Sequence, residues 1–134
     1  MIRCIETAVA ALTIGVPTAA HAQAMRSMAG RAMPKGRTAT LTGTVVDVSC
    51  KFGQGLSGAE HKMCAEICAD RGLPLAFLND DGKLYVPTSA GMPGDGQSAR
   101  LKPFAEQRVT VSGKVFAAGG ASAIQITDIA VRAR

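Results

Sequence analysis

Three cysteines and a histidine crowd into SCKFGQGLSGAEHKMCAEIC, which runs from Ser49 to Cys68: Cys50, His61, Cys64 and Cys68. Thiols beside an imidazole serve one of three chemistries. They hold a metal, they form a disulfide and leave a thiol over, or one thiol is activated as a nucleophile. Three thiolates and one imidazole make a closed tetrahedral set for zinc and a soft set for copper(I). The spacing C-x10-H-x2-C-x3-C is not that of a standard zinc finger. Covalent haem needs C-x-x-C-H, and iron–sulfur clusters usually take more cysteines. A disulfide is the competing use. Cys64 and Cys68 at helical i,i+4 spacing would have Cα atoms about 6 Å apart with parallel Cβ directions, a poor fit to S–S geometry. A bridge would therefore run from Cys50 to Cys64 or Cys68, stabilising by about 3 kcal/mol on the loop-entropy argument.

These side chains need elements to carry them. LTGTVVDVSC, from Leu41, is rich in Val and Thr and alternates loosely, which predicts a strand ending at Cys50. Ser57-Gly58-Ala59-Glu60 matches the S-x-x-E capping box, and Gly72 suits a helix stop, which predicts one helix over Ala59–Arg71. On such a helix His61, Cys64 and Cys68 fall within a sector of roughly 60°. The glycine-rich KFGQGLSG would fold Cys50 over that face. Asp47, three residues before Cys50, is a candidate to orient His61 or a lysine from behind the ligands; otherwise it is a strand-end carboxylate in water. Met63 and Ile67 fall off the cysteine face and are expected to pack.

The remainder reads as β. LPLAFLN and KLYVPT flank the turn Asp80-Asp81-Gly82, and RVTVSGKVFA and SAIQITDIAV flank Gly119-Gly120. Thr88 to Ala99 reads as a loop, and LKPFAEQ as a short helical turn. Val109, Val111, Val115, Ile124, Ile126 and Ile129 are the expected core, and Gly113 between valines marks a bulge or bend. The expected fold is mainly β with one helix: a small five-stranded OB-like barrel, with the helix after the first strand.

The start of the chain reads as an export signal over residues 1–22. Arg3 is followed by the apolar run TAVAALTIGV, then by Pro17 and the A-x-A pattern Ala20-His21-Ala22. Residues 23–39 read as a disordered basic arm, and 40–134 as the barrel domain. Cleavage would remove Cys4 and leave the odd set Cys50, Cys64 and Cys68, which in an oxidising compartment needs a use. The formal charge is +5, with Arg26, Arg31, Lys35 and Arg37 in the arm. Export argues against nucleic acid as the partner. With no tryptophan, one tyrosine and four phenylalanines, the chain is also a poor stacking platform for bases or sugars. No C-x-x-C and no phosphate-binding glycine loop is present, and Cys64 with His61 lacks an orienting third group, so an enzyme is not expected. Met25, Met28 and Met33 are irregularly spaced thioethers that would suit copper(I).

TGTVVDVSC, then G-x2-H-x2-C-A-x2-C on Gly58, His61, Cys64, Ala65 and Cys68, then Gly72 and Pro74, DGKLYV and VTVSGKVFAAGG, resembles a family of small exported bacterial proteins without an assigned activity. Its members share the Asp, Cys, His, Cys and Cys, and often carry a tyrosine after the first cysteine where this chain has Lys51-Phe52. The resemblance implies that the cluster acts as one unit. The expectation is a soluble periplasmic or secreted module. Cys50, His61, Cys64 and Cys68 would bind copper(I) or zinc for storage, delivery or sensing. Its partners would be the metal ion and another envelope protein, with no nucleic acid and no stable membrane insertion after cleavage. The alternative is a disulfide-stabilised OB-like module that binds a protein or small ligand without metal.

Overall fold

The structure, a computed structural model, describes residues 34–132. The expected signal segment and most of the basic arm, with Cys4, lie outside them. The described chain forms a closed barrel of five strands in the order β1-β2-β3-β5-β4, with β4 returning to β1. The strands are β1 (Arg37–Asp47), β2 (Leu75–Asn79), β3 (Leu84–Pro87), β4 (Arg108–Ala118) and β5 (Ala121–Val131). Three short helices connect them: α1 (Val48–Gln54), α2 (Lys62–Asp70) and α3 (Ser98–Leu101). Single 3₁₀ turns precede α2 at Ala59–His61 and follow α3 at Lys102–Phe104. The expectation of one helix is thus corrected to three, two of them between β1 and β2. No described helix is long and apolar enough to cross a membrane.

β1 holds the barrel together by changing neighbours. Its first part, from Arg37 to Thr44, pairs antiparallel with β4, and Gly43 to Asp47 pairs antiparallel with β2. Gly43 and Thr44 pair on both sides at once, and a Cβ on Gly43 would collide with the Leu78 carbonyl oxygen. Only glycine allows that approach. The strand begins at Arg37, earlier than the Leu41 expected, because pairing with Val115 recruits residues whose own pattern is polar and small. Closure comes from a short parallel pairing of Val86 and Pro87 with Ala123 and Ile124.

The expected hairpins are present. Gly119 and Gly120 both take positive φ (57° and 79°), as a tight two-residue turn requires. The register of β4 against β5 shifts between Ser112 and Gly113, at the expected bulge. Val109, Val111, Val115, Ile124 and Ile126 are buried, and Ile129 packs partly buried against them. Phe77 and Leu101 complete the core, Leu101 plugging it from α3.

Candidate metal centre

The strand expected to reach Cys50 stops at Asp47, whose carboxylate caps a helix. Asp47 Oδ1 accepts from the Cys50 backbone N–H at 3.0 Å, and Asp47 is the N-cap of α1 in extended backbone (φ −72°, ψ 116°). Cys50 therefore sits in the first turn of a helix, not at a strand end. Lys51 to Gln54, expected as connection, are helical until Gly55 ends the helix at φ 70°. The capping box at Ser57 does not form: Gly58 takes the N-cap position without a side-chain cap, and the Ser57 hydroxyl accepts from Lys51 Nζ at 2.9 Å. The stop at Gly72 is confirmed. Leu73 N–H donates to Cys68 C=O and Gly72 N–H to Ala69 C=O, both at 3.0 Å, with Gly72 at φ 85°.

α2 lies on the barrel through small residues. Ala65 is fully buried and Ala69 partly so, and this close approach brings Cys68 down to the end of β1. Met63 and Ile67, expected to pack, are 72% and 45% exposed, because the alanines take the inward face. Cys64 and Cys68 sit four residues apart on α2, and His61 ends the 3₁₀ turn that precedes it. Cys64 is exposed, whereas Cys68 and Cys50 are partly buried.

What the fold brings together is Asp47, Cys50 and Cys68. A carboxylate oxygen and the two sulfurs all lie within 4.8 Å of one another, so the three form a group able to hold a metal ion. Asp47 is fully buried, and its Oδ2 has no well-formed hydrogen bond. Burial pushes the Asp47 carboxyl upward, but the Cys50 N–H and the thiols of Cys68 and Cys50 outweigh it and hold the group below the usual carboxylate range. The thiols respond in the opposite sense. Contact with that carboxylate, then burial, pushes Cys68 up to about 12. Burial first, then the Asp47 charge, raises Cys50, with a smaller push from Cys64. The three described cysteines are free thiols, and the Cys50 bridge to Cys64 or Cys68 is not formed.

His61 is held elsewhere. Its Nδ1 donates to Glu106 Oε1 at 3.3 Å, and its Nε2 is buried without a partner. Glu106 is the residue that the sequence gives no reason to single out. The segment around it clips onto β1: Glu106 N–H donates to Val45 C=O at 2.8 Å, and Val45 N–H to Gln107 C=O at 3.2 Å. Its carboxylate also accepts from Gly58 N–H at 2.8 Å and from Asp47 N–H at 3.4 Å. Glu106 adopts φ 57°, a left-handed conformation costly for a residue with a side chain, and this clasp of hydrogen bonds compensates it. One buried carboxylate thus ties the β3–β4 connection to the end of β1 and to the turn before α2.

No family model, curated protein or solved structure matches the chain significantly. The site therefore has to be read from its own geometry.

Proposed function

We propose that this protein is a metal-binding module that holds zinc or copper(I) on Cys50, Cys68 and Asp47. The observation that carries this reading is the convergence of two sulfurs and a buried carboxylate oxygen within 4.8 Å. Both metals accept a pair of thiolates, and the carboxylate favours zinc, which takes oxygen, nitrogen and sulfur donors alike. Without metal the thiols keep their protons beside Asp47; a bound cation displaces those protons and neutralises the carboxylate. His61 and Cys64 are the candidates for a fourth ligand. Glu106 fixes the imidazole through Nδ1 and leaves Nε2 as the coordinating atom, the usual arrangement for a ligating histidine.

The strand order, with β1 shared between β2 and β4 and with β3 parallel to β5, supports reading the barrel as OB-like. With the export pattern at residues 1–22, the proposal extends to a periplasmic or secreted setting. There the module would store, deliver or sense metal and pass it to another envelope protein.

The test is a competition titration of the full chain with zinc and with copper(I) under reducing conditions, repeated for Asp47→Asn, Cys50→Ser, Cys68→Ser, Cys64→Ser and His61→Gln. Stoichiometric binding lost in both the Cys50 and Cys68 variants supports the reading. A zinc-only dependence on Asp47 identifies zinc. Binding that survives Cys50→Ser and Cys68→Ser ends it.

A further inference from the structure

At the start of β1, the barrel carries a concave site of about 420 Å³ that none of the cysteines lines. It is lined by Lys35, Arg37, Lys83, Tyr85, Val115 and Phe116 among others, and no described carboxylate lines it. We propose that it binds a phosphate-bearing anion, independently of the metal reading.

Three observations converge on this. The first is charge without compensation. Three described acids pair elsewhere, Asp70 with Lys102, Asp80 with Arg108 and Glu66 with Lys62, and Asp81, in the turn before Lys83, accepts from Asn79 Nδ2 at 3.0 Å. Among the described residues Lys35, Arg37, Lys83 and the adjacent Lys114 make no ion pair. Like charges gathered in a concavity repel one another unless an anion sits between them.

The second is placement. Lys83 Nζ stands 5.4 Å from the centroid of the Tyr85 ring, and Lys114 Nζ 5.6 Å from that of Phe116. Resting on the rings restrains side chains that would otherwise sweep through solvent. The rings are also partly spoken for: Tyr85 is buried and a lysine covers one face of each, so they offer little to a stacked base. This is a floor for an anion and not a nucleic-acid platform.

The third is close approach. A Cβ on Gly36 would stand 2.6 Å from Phe116 Cε1 and 2.7 Å from Lys114 Cγ. Glycine lets the chain lie flat against that ring, which brings Lys35 and Arg37, on either side of it, to the same concavity as Lys83. A planar guanidinium and two ammonium groups from separate segments match a tetrahedral oxyanion: the arginine binds two oxygens, and the lysines act as point charges.

The ligand is either a free phosphate ester or the phosphate of a lipid headgroup, and the experiment separates them. The full chain is titrated with inorganic phosphate at constant ionic strength while its backbone amides are followed by NMR. In parallel it is sedimented with vesicles of phosphatidylglycerol in phosphatidylcholine, and with phosphatidylcholine alone. Saturable shifts at Arg37, Lys83 and Tyr85, weakened roughly tenfold or more in the pair Arg37→Gln with Lys83→Gln, support the proposal with a free phosphate. Sedimentation with the anionic vesicles alone, abolished in the same pair while phosphate shifts nothing, supports it with a headgroup. Gly36→Ala keeps every charge and is expected to weaken binding several-fold by lifting the chain off Phe116. Lys102→Gln, remote and paired to Asp70, is expected to change nothing. If neither probe binds, if the pair or Gly36→Ala binds like the original chain, or if Lys102→Gln costs as much as the pair, the proposal is overturned.

Discussion

At one end of the barrel Asp47, Glu106 and His61 are buried, and the thiols of Cys50 and Cys68 are partly buried beside them. At the other, Lys35, Arg37 and Lys83 stand around Tyr85 with their charged ends in water. Both ends gather ionisable groups, but the physical bookkeeping differs. A buried polar group has given up its hydration and must find partners inside the protein, so every such group constrains its neighbours. Exposed cations keep their water and constrain little. The closed end should therefore govern stability and metal together, and the open end should govern ligand binding alone.

The largest expected effect is on metal at the closed end. Replacing Cys50 and Cys68 together by serine is expected to weaken zinc binding at least about 1,000-fold, roughly 4 kcal/mol, because both soft donors of the converging set are gone. Cys64→Ser is expected to cost far less, since Cys64 is exposed and outside that set. Competition against a chromophoric chelator measures both. Equal losses in the two variants would make Cys64 as necessary as the converging pair and move the centre toward it.

Next is the clasp. Glu106→Ala strips the acceptor from the N–H groups of Asp47 and Gly58 and from His61 Nδ1, the first and last at a buried site and Gly58 at a part-buried one. The expected loss is about 3 kcal/mol by denaturant unfolding, since orphaned buried donors are more costly than the bond itself is favourable. Glu106→Gln keeps one acceptor oxygen and should lose less. A near-neutral Glu106→Ala would mean that water serves these donors, and the closed end would not be closed.

These two predictions bracket what the sequence made visible. The β4–β5 hairpin was legible because Val109, Val111, Ile124 and Ile126 alternate with polar residues, and Gly119-Gly120 admits only a tight turn. Cys50 and Cys68 stood out by residue type. The misreadings cluster between Asp47 and His61, where two local rules competed. The β-branched run through Val48 favoured extending the strand, whereas Asp47 three residues ahead of Cys50 was itself a helix-cap signal. Reading the strand through Cys50 hid α1, and reading one helix over Ala59–Arg71 hid the 3₁₀ turn at its start. Glu106 was invisible for another reason. Its role comes from three donors distant in the chain, and nothing in LKPFAEQ marks a residue that will be buried at positive φ.

A subtler effect is expected with pH on the metal-free protein. Cys68 titrates near 9.0 when unfolded and at about 12 when folded. A raised folded value means that the native state holds the proton more tightly. Its stabilising contribution is complete below pH 9 and is lost as pH rises through the folded value. Unfolding midpoints between pH 7 and pH 10.5 should therefore fall more steeply for the original chain than for Cys68→Ser. The Asp47 carboxyl, held low, gives the converse: its contribution is present above the unfolded value of 3.8 and is lost as the medium is acidified through the lower folded value. Parallel curves for Cys68→Ser and the original chain in the alkaline range would show that the thiol does not face the carboxylate in solution.

The smallest effect belongs to the open end, and its smallness is the point. Lys83→Gln removes a cation resting on Tyr85, which costs about 0.5–1 kcal/mol at an exposed site. It also removes repulsion from Lys35 and Arg37 across the same concavity, which returns a comparable amount. The two terms oppose, so stability should stay within about 0.5 kcal/mol of the original. They also respond differently to salt. Added salt screens the repulsion among exposed cations and touches the ring contact less, so the original chain should gain slightly more stability than Lys83→Gln as salt is raised. A loss above about 1.5 kcal/mol would make Lys83 part of the barrel's structure and not of a binding surface. An absent salt difference would mean that the three cations do not share one field, and the contrast between the two ends would reduce to burial alone.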